Sequence, residues 1–275
     1  MHETRNCLLV IIGTQDRLRS YSLSEFAACF TDCIYVNPVL LRTSDRTDQV
    51  VNDKLCKVSI GRFLANSEIG CAIAHKKATA IATNVISSSI EFGWVLFVED
   101  DADLNQKTFE MIKDELDELD DLNVDTPSLI TFYSSKNCGP DKESTKTESR
   151  KLYKSSTHWP SGTVCYAINR SGIFDIAHFS GLPVDHVADW PVYYTRLKLF
   201  FSIQARVCEV DAPSSIENRR NLSISSRIMM HLRQLFYLRK LSRLNEVSVC
   251  KVINHLILTP ILRDLSHLFR SFQFR

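Results

Sequence analysis

The segment Trp94-Val95-Leu96-Phe97-Val98-Glu99-Asp100-Asp101-Ala102-Asp103 constrains this chain most, because an apolar run ends abruptly in four carboxylates within five residues. Residues 94–98, mostly aromatic or β-branched, have the pattern of a strand buried on both faces, as in parallel sheets covered by helices. The end of such a strand lies at a sheet edge beside a crevice, where ligands bind in open α/β folds. The competing local reading is a charged turn that opens a helix, with Asp103 as its cap, since Asp and Glu favour helix starts.

The preceding chain supplies neighbours for this strand. Residues 7–12 (CLLVII) read as a first buried strand, 13–17 as the turn after it, 24–30 as a helix capped by Ser22 or Ser24, and 33–36 as a second short strand. Together they form the β-α-β start of a parallel sheet. Arg17, in the loop after the first strand, is placed to meet a phosphate or a carboxylate; it reads equally well as a solvated surface arginine. Residues 42–58 are polar and hard to place. From Ser59 the chain runs into a long helix through Ile86, with Ala72, Ala74, Ala78, Ala80 and Ala82 permitting close packing on a sheet. Gly70 near its start predicts that another backbone or a ligand comes close. His75 on this helix is either a satisfied packed histidine or a site residue.

After the acidic cluster, residues 109–122 form a very acidic amphipathic helix with a solvated face, and 128–133 another strand. Residues 134–157 are Lys, Ser, Thr and Glu with almost no apolar content, which predicts a mobile excursion rather than a folded element. Loops of that length often serve as lids. A glycine-containing turn and strand follow over 159–168, then a helix over 170–179. A proline-bounded loop carries Asp185, His186, Asp189 and Trp190.

Several of these segments, in order, resemble the glycosyltransferase family 25 domain of lipopolysaccharide and lipooligosaccharide core biosynthesis. That family has an Arg-x-Leu segment leading into a Gly-Glu-x-Gly-Cys-x-x-Ser-His helix, then a hydrophobic strand ending in Glu-Asp-Asp. This chain matches at Arg62, Leu64, Glu68, Gly70, Cys71, His75, Glu99, Asp100 and Asp101, and departs at Ser67 and Ala74 by small-residue exchanges. The opening strand with Arg17 is similar to the family's N-terminal strand and arginine. Gly162, Thr163, Tyr166 and Ile168 fit its Gly-Thr-x-x-Tyr-x-Ile segment, and Pro183-Val184-Asp185 its Pro-x-Asp. The resemblance covers roughly residues 5–220. It implies a GT-A-like α/β fold, with a mostly parallel central sheet flanked by helices, and an inverting glycosyltransferase of nucleotide-sugar donors.

Such a transfer must neutralise the charge growing on a leaving diphosphate, take a proton from the acceptor hydroxyl and exclude water. Two carboxylates one residue apart at a strand end, Asp101 and Asp103 or Glu99 and Asp101, suit a hard divalent ion such as Mn²⁺ or Mg²⁺ that also binds phosphate oxygens. Asp101 and Asp103 are the favoured pair. The resemblance implies donor contacts for Arg17, Arg62, Glu68, His75, Glu99, Asp100 and, by return to the diphosphate, Arg219 or Arg220. Inversion needs one general base on the acceptor side, for which Asp185 and Asp189 are the candidates. His186 and Trp190 beside them are expected to bind the acceptor, the indole by packing on sugar C–H groups; the alternative is that Asp185 caps a helix and Trp190 is core. The expected reaction moves a hexose, galactose from UDP-galactose in the first instance, to a lipopolysaccharide core or related surface glycan. A metal-dependent hydrolase using Asp100, Asp101, Asp185, His186 and Asp189, and a non-catalytic scaffold, are the alternatives.

Charge divides the 275-residue chain unevenly. Residues 227–275 hold nine Lys and Arg against Glu246 and Asp264, which leaves 24 basic against 30 acidic residues before them. A net charge of +1 argues against a wholesale nucleic-acid binder. Residues 1–226 are expected to form the catalytic domain, and 227–275 a basic amphipathic helical tail. Basic helices of this kind lie on anionic membrane surfaces, where a lipid-linked acceptor would be found; packing on the domain or a dimer contact is the competing reading. Nine scattered cysteines without a CxxC suit a reduced compartment. With no signal peptide and no spanning apolar stretch, the expected location is cytoplasmic, with peripheral contact at the inner face of the membrane.

Overall fold

The computed structural model describes residues 7–14, 27, 30, 32–104, 106–121, 126–133, 152–154, 162–188, 190–202, 207–209 and 224–258. Its centre is a seven-stranded sheet. The strands are β1 (Cys7–Ile12), β2 (Cys33–Val36), β3 (Trp94–Glu99), β5 (Ser128–Thr131), β6 (Leu152–Lys154), β7 (Cys165–Asn169) and β8 (Lys198–Ser202), in the spatial order β2-β1-β3-β7-β5-β8-β6. A separate short pair joins β4 (Ala102–Asp103) to β9 (Cys208–Glu209), antiparallel. In the large sheet β2, β1, β3, β5 and β8 run one way, and β7 and β6 run against them. The expected mostly parallel α/β sheet is thus present, with two reversed strands.

The helices are α1 (Asp53–Ser59), α2 (Asn66–Ser88), α3 (Gln106–Asp121), α4 (Arg170–Ile176), α5 (Ile224–Leu244) and α6 (Val249–Ile253) among the described residues. Strand alternation explains why both sheet faces are covered. Leu9, Ile11, Leu96 and Val98 face Phe109, Ile112 and Leu116 of α3, while Leu8, Val10, Val95 and Phe97 face Ala74, Ala78, Ala82 and Ile86 of α2 and Ile173 and Ile176 of α4. Every residue of β1 is at most 5% exposed, as a two-sided apolar run requires. Gly70 meets its expected neighbour: a β-carbon there would stand 2.0 Å from the Val39 carbonyl oxygen.

One unplaced stretch gains an element, and two expectations change. The polar stretch 42–58 contains α1, begun by Asn52, whose Oδ1 accepts the Leu55 N–H at 3.1 Å. Inside the expected excursion 134–157, residues 152–154 form β6, pairing antiparallel with β8; an edge strand needs few apolar residues, so composition hides it. The remainder of that excursion lies outside the described residues, as do all but Ala27 and Phe30 of the expected helix at 24–30. On α3 the acidic face is not wholly solvated: Glu115 is buried and accepts the Ser202 hydroxyl at 2.8 Å.

The described part of the basic tail packs on the sheet domain. Leu241, Val247, Val252, Leu256 and Ile257 form a core with Leu55 and Val58 of α1 and with Val192. Gln234 donates to the Ser59 carbonyl at 3.0 Å, and Lys251 to the Thr195 carbonyl at 2.7 Å. Leu232, Leu235 and Phe236 of α5 remain exposed. No described helix is long and apolar enough to cross a membrane.

Candidate active site

The chain passes from β1 to β2 on one side of β1 and then returns to β3 on the other, which makes the carboxyl ends of β1 and β3 a topological switch point. Ile12 and Glu99 are partners in register there. The next residues, Gly13-Thr14 and Asp100-Asp101, therefore meet. Asp100 Oδ2 accepts the Thr14 N–H at 2.9 Å, and the Asp100 N–H donates to the Ile12 carbonyl at 3.0 Å. Only glycine fits at 13, since a β-carbon would lie 2.2 Å from that of Asp100. Asp100 is thereby buried and fixed. Asp101 lies partly buried in the turn, and β4 follows, with Ala102 in the core and Asp103 exposed.

Glu99 turns towards α2. Its Oε1 accepts the Thr163 hydroxyl at 2.6 Å and faces His75 Nε2 at 3.1 Å. His75 Nδ1 stands 3.0 Å from the hydroxyl of Tyr166, so the imidazole is held from both sides and buried. Thr163 and Tyr166 reach this point because β7 runs antiparallel beside β3, with Tyr166 opposite Phe97 and Cys165 opposite Val98. Cys71 stands one helical turn before His75; its sulfur, a His75 ring nitrogen and a Glu99 oxygen lie within 4.8 Å of one another.

The next residue of α2 serves the other half of the site. Lys76 donates to the carbonyls of Phe179 and Leu182 at 3.0 and 2.8 Å, anchoring the chain that leads to Asp185. Val184 bridges to Val51, and its carbonyl accepts the Asn52 N–H at 2.7 Å. Asp185 is held in this clamp. Burial raises its carboxyl above the ordinary aspartate range, and the Lys76 ammonium and His186 draw it part of the way back. Burial lowers Lys76, which Asp185 opposes. Burial, with Asp185 next in weight, pushes the Cys56 thiol up to about 12.

The expected site residues fare differently. The switch point gathers Glu99, Asp100, Asp101 and Asp103, with His75 attached through Glu99. Arg62 and Glu68, expected to reach a donor, are engaged with each other by two hydrogen bonds of 2.6 Å, and Glu68 also accepts the Ala65 N–H at 2.9 Å. This ties the start of α2, where a carboxylate also meets the helix dipole. Trp190, expected as an acceptor platform, is a core side chain, 2% exposed, edge-on to Tyr166 and Tyr194 at 5.3 and 5.8 Å. Its backbone is left-handed, φ 47°, a strain of about 1–3 kcal/mol that burial of the indole offsets. His186 is partly buried beside Asp185. Arg17, Asp189 and Arg219 lie outside the described residues.

Thr14 carries no signal of its own as a site residue, and Cys71 only that of the motif match. Lys76 had a signal in its position, four residues after buried Ala72 and three before buried Thr79, on the inner face of α2.

The donor chemistry at the switch point fits a hard divalent ion. Asp101 and Asp103 offer carboxylate oxygens on a short, partly exposed segment, which suits an ion that keeps several waters and takes phosphate oxygens as further ligands.

No known family profile matches the chain, and no curated protein matches it. Among solved structures it is similar to a glycosyltransferase involved in the glycosylation of the major capsid of PBCV-1, with 12% identity and a TM-score of 0.33. The match covers 63% of each chain, so this chain spans less than two thirds of that protein's length.

Proposed function

We propose that the chain is a nucleotide-sugar-dependent glycosyltransferase. The observation that carries this reading is the acidic end of β3 at the switch point, with Asp100 locked on Gly13-Thr14 and Asp101 and Asp103 following it at the crevice. The ordered motif resemblance supports the same assignment. The donor is a UDP-hexose, UDP-galactose in the first instance, and the acceptor a lipopolysaccharide core or related surface glycan carried on lipid.

Asp101 and Asp103 would hold Mn²⁺ or Mg²⁺, which would supply positive charge to the leaving diphosphate. Asp100, fixed by Thr14, orients the donor's ribose or sugar. Inversion takes place by single displacement, with Asp185 or Asp189 receiving the acceptor proton. The raised carboxyl of Asp185 favours it for that task, since a base works best when its affinity for protons approaches the working pH. His186, beside it, contacts the acceptor. The exposed face of α5 rests on the inner surface of the cytoplasmic membrane.

Thermal-shift measurements with UDP-, GDP- and CMP-sugars, with and without Mn²⁺, test the reading. Stabilisation by a UDP-sugar that requires Mn²⁺ and disappears in Asp101→Asn is expected. A shift of equal size in that variant would remove Asp101 from the ion's ligands, and no shift with any nucleotide sugar would sink the assignment.

A further inference from the structure

We propose that Cys71, His75 and Glu99 form a second metal site, for a borderline-soft divalent ion, Zn²⁺. It is distinct from the hard-ion position at Asp101 and Asp103 and does not rest on the transferase reading.

Among the described residues these three side chains are a group whose sulfur, nitrogen and oxygen ligand atoms lie within 4.8 Å of one another. Bond lengths of zinc to sulfur, nitrogen and oxygen place neighbouring ligand atoms of a tetrahedral ion about 3.3–3.8 Å apart, so small rotations of these side chains suffice. The set mixes thiolate, imidazole and carboxylate, which suits zinc and excludes the hard ions that prefer oxygen alone. Three protein ligands leave a fourth position open to water or another small ligand.

The surroundings are those of supported ligands. Cys71 and His75 are four residues apart and so share one face of α2, with Glu99 brought to them at the end of β3. Tyr166 holds His75 Nδ1 at 3.0 Å, the outer hydrogen bond that fixes a ligating imidazole, and Thr163 orients the Glu99 carboxylate at 2.6 Å. Cys71 is partly exposed and the Glu99 side chain is 20% exposed, so an ion has a path in.

Protons balance simply. In the neutral tautomer with its proton on Nε2, the ion-free His75 donates to Glu99, and Nδ1 accepts from the Tyr166 hydroxyl. On binding, the Nε2 lone pair goes to the ion and the imidazole proton moves to Nδ1, which now donates to Tyr166. The Tyr166 hydroxyl can reverse because it also has the Tyr194 hydroxyl as a hydrogen-bond partner. The Cys71 S–H bond breaks as the S–metal bond forms, and its proton leaves to solvent. One proton is therefore released per ion.

Co²⁺ is the probe, because its bonds to thiolate give a charge-transfer band in the near ultraviolet and tetrahedral Co²⁺ has intense visible bands. The full chain, stripped of metal and kept reduced, is titrated with Co²⁺ and then with competing Zn²⁺. One equivalent of Co²⁺ with a thiolate band, displaced by Zn²⁺, is expected. Cys71→Ser should abolish the band, while Cys208→Ser, Cys250→Ser and Asp101→Asn leave it intact. Tyr166→Phe should keep the band and weaken binding roughly 10–100-fold. Far-ultraviolet circular dichroism confirms that each variant is folded. Absence of the thiolate band in the wild-type chain overturns the proposal without recourse to any variant. So does a band that survives in Cys71→Ser or vanishes in Asp101→Asn. The outcome is separable from that for the transferase, since a chain that binds Co²⁺ through Cys71 but is not stabilised by UDP-sugars fails only the latter.

Discussion

The backbone N–H of Thr14 donates to Asp100 Oδ2 at 2.9 Å, across the parallel pair β1 and β3. This one bond joins the first strand of the chain to the acidic end of the third. It sets the position of the carboxylate by backbone geometry and leaves little to side-chain freedom.

Gly13→Ala tests how tightly that position is set. The added methyl would overlap the Asp100 side chain, and overpacking of this kind costs about 1–3 kcal/mol. Urea unfolding should show a loss in that range, and UDP-sugar stabilisation should fall with it. An unchanged unfolding midpoint would mean that Asp100 moves aside freely.

With Asp185 as the proposed base, the proposed reaction has a defined pH dependence. Its carboxyl must be ionised to accept a proton, and burial holds its pKa above the ordinary value of about 3.9. Activity should therefore rise with pH along an acid limb lying above that value. Lys76 lowers the Asp185 pKa, so Lys76→Met should displace the limb to higher pH, as read from kcat/KM profiles. A limb that stays in place in Lys76→Met, or one that persists in Asp185→Asn, would assign the base elsewhere, with Asp189 next to be tested.

Arg62 and Glu68 should behave as a structural pair. Glu68→Ala removes two charge-assisted hydrogen bonds to Arg62 and one from Ala65 N–H at a buried carboxylate, and should cost about 1–3 kcal/mol in urea unfolding. Donor affinity under native conditions should change less than about twofold, well under the tenfold that 1.4 kcal/mol represents. A large loss of donor affinity with stability intact would restore the donor-binding role.

The tail carries a separable prediction. Deleting residues 227–275 would uncover Leu55, Val58 and Val192, so that variant should aggregate or unfold whatever its membrane affinity. Leu235→Asp combined with Phe236→Asp alters only exposed positions and should leave unfolding within about 0.5 kcal/mol. In flotation with anionic vesicles the wild-type chain should float and this double variant should not. Failure of the wild-type chain to float would end the membrane proposal.

What could be read in advance was local. The unbroken apolar runs of 7–12 and 94–98 dictate strands buried on both faces, and the small-residue stripe of α2 dictates its close packing. The links between distant segments were not readable. Tyr166 reaches His75 only through the antiparallel register of β7 on β3, and nothing near Tyr166 in the chain announces a reversed strand. Trp190 has the local context of a sugar platform, but its burial is decided by Tyr166 and Tyr194, 24 residues before it and four after. For Arg62 and Glu68 the resemblance implies donor contacts, and no local pattern shows that the turn before α2 brings the two face to face.

His75 and Lys76 are consecutive on α2, yet one holds the strand end that carries Glu99 and the other holds the segment leading to Asp185. The helix therefore works as a common shaft. A shift of α2 along its axis moves the acidic crevice and the Asp185 loop together, so the two halves of the site are not independently adjustable. Substitutions that retune one half should be inherited with compensating changes in the other, and, for the transferase proposed above, a variant selected for a new donor should arrive with an altered acceptor preference.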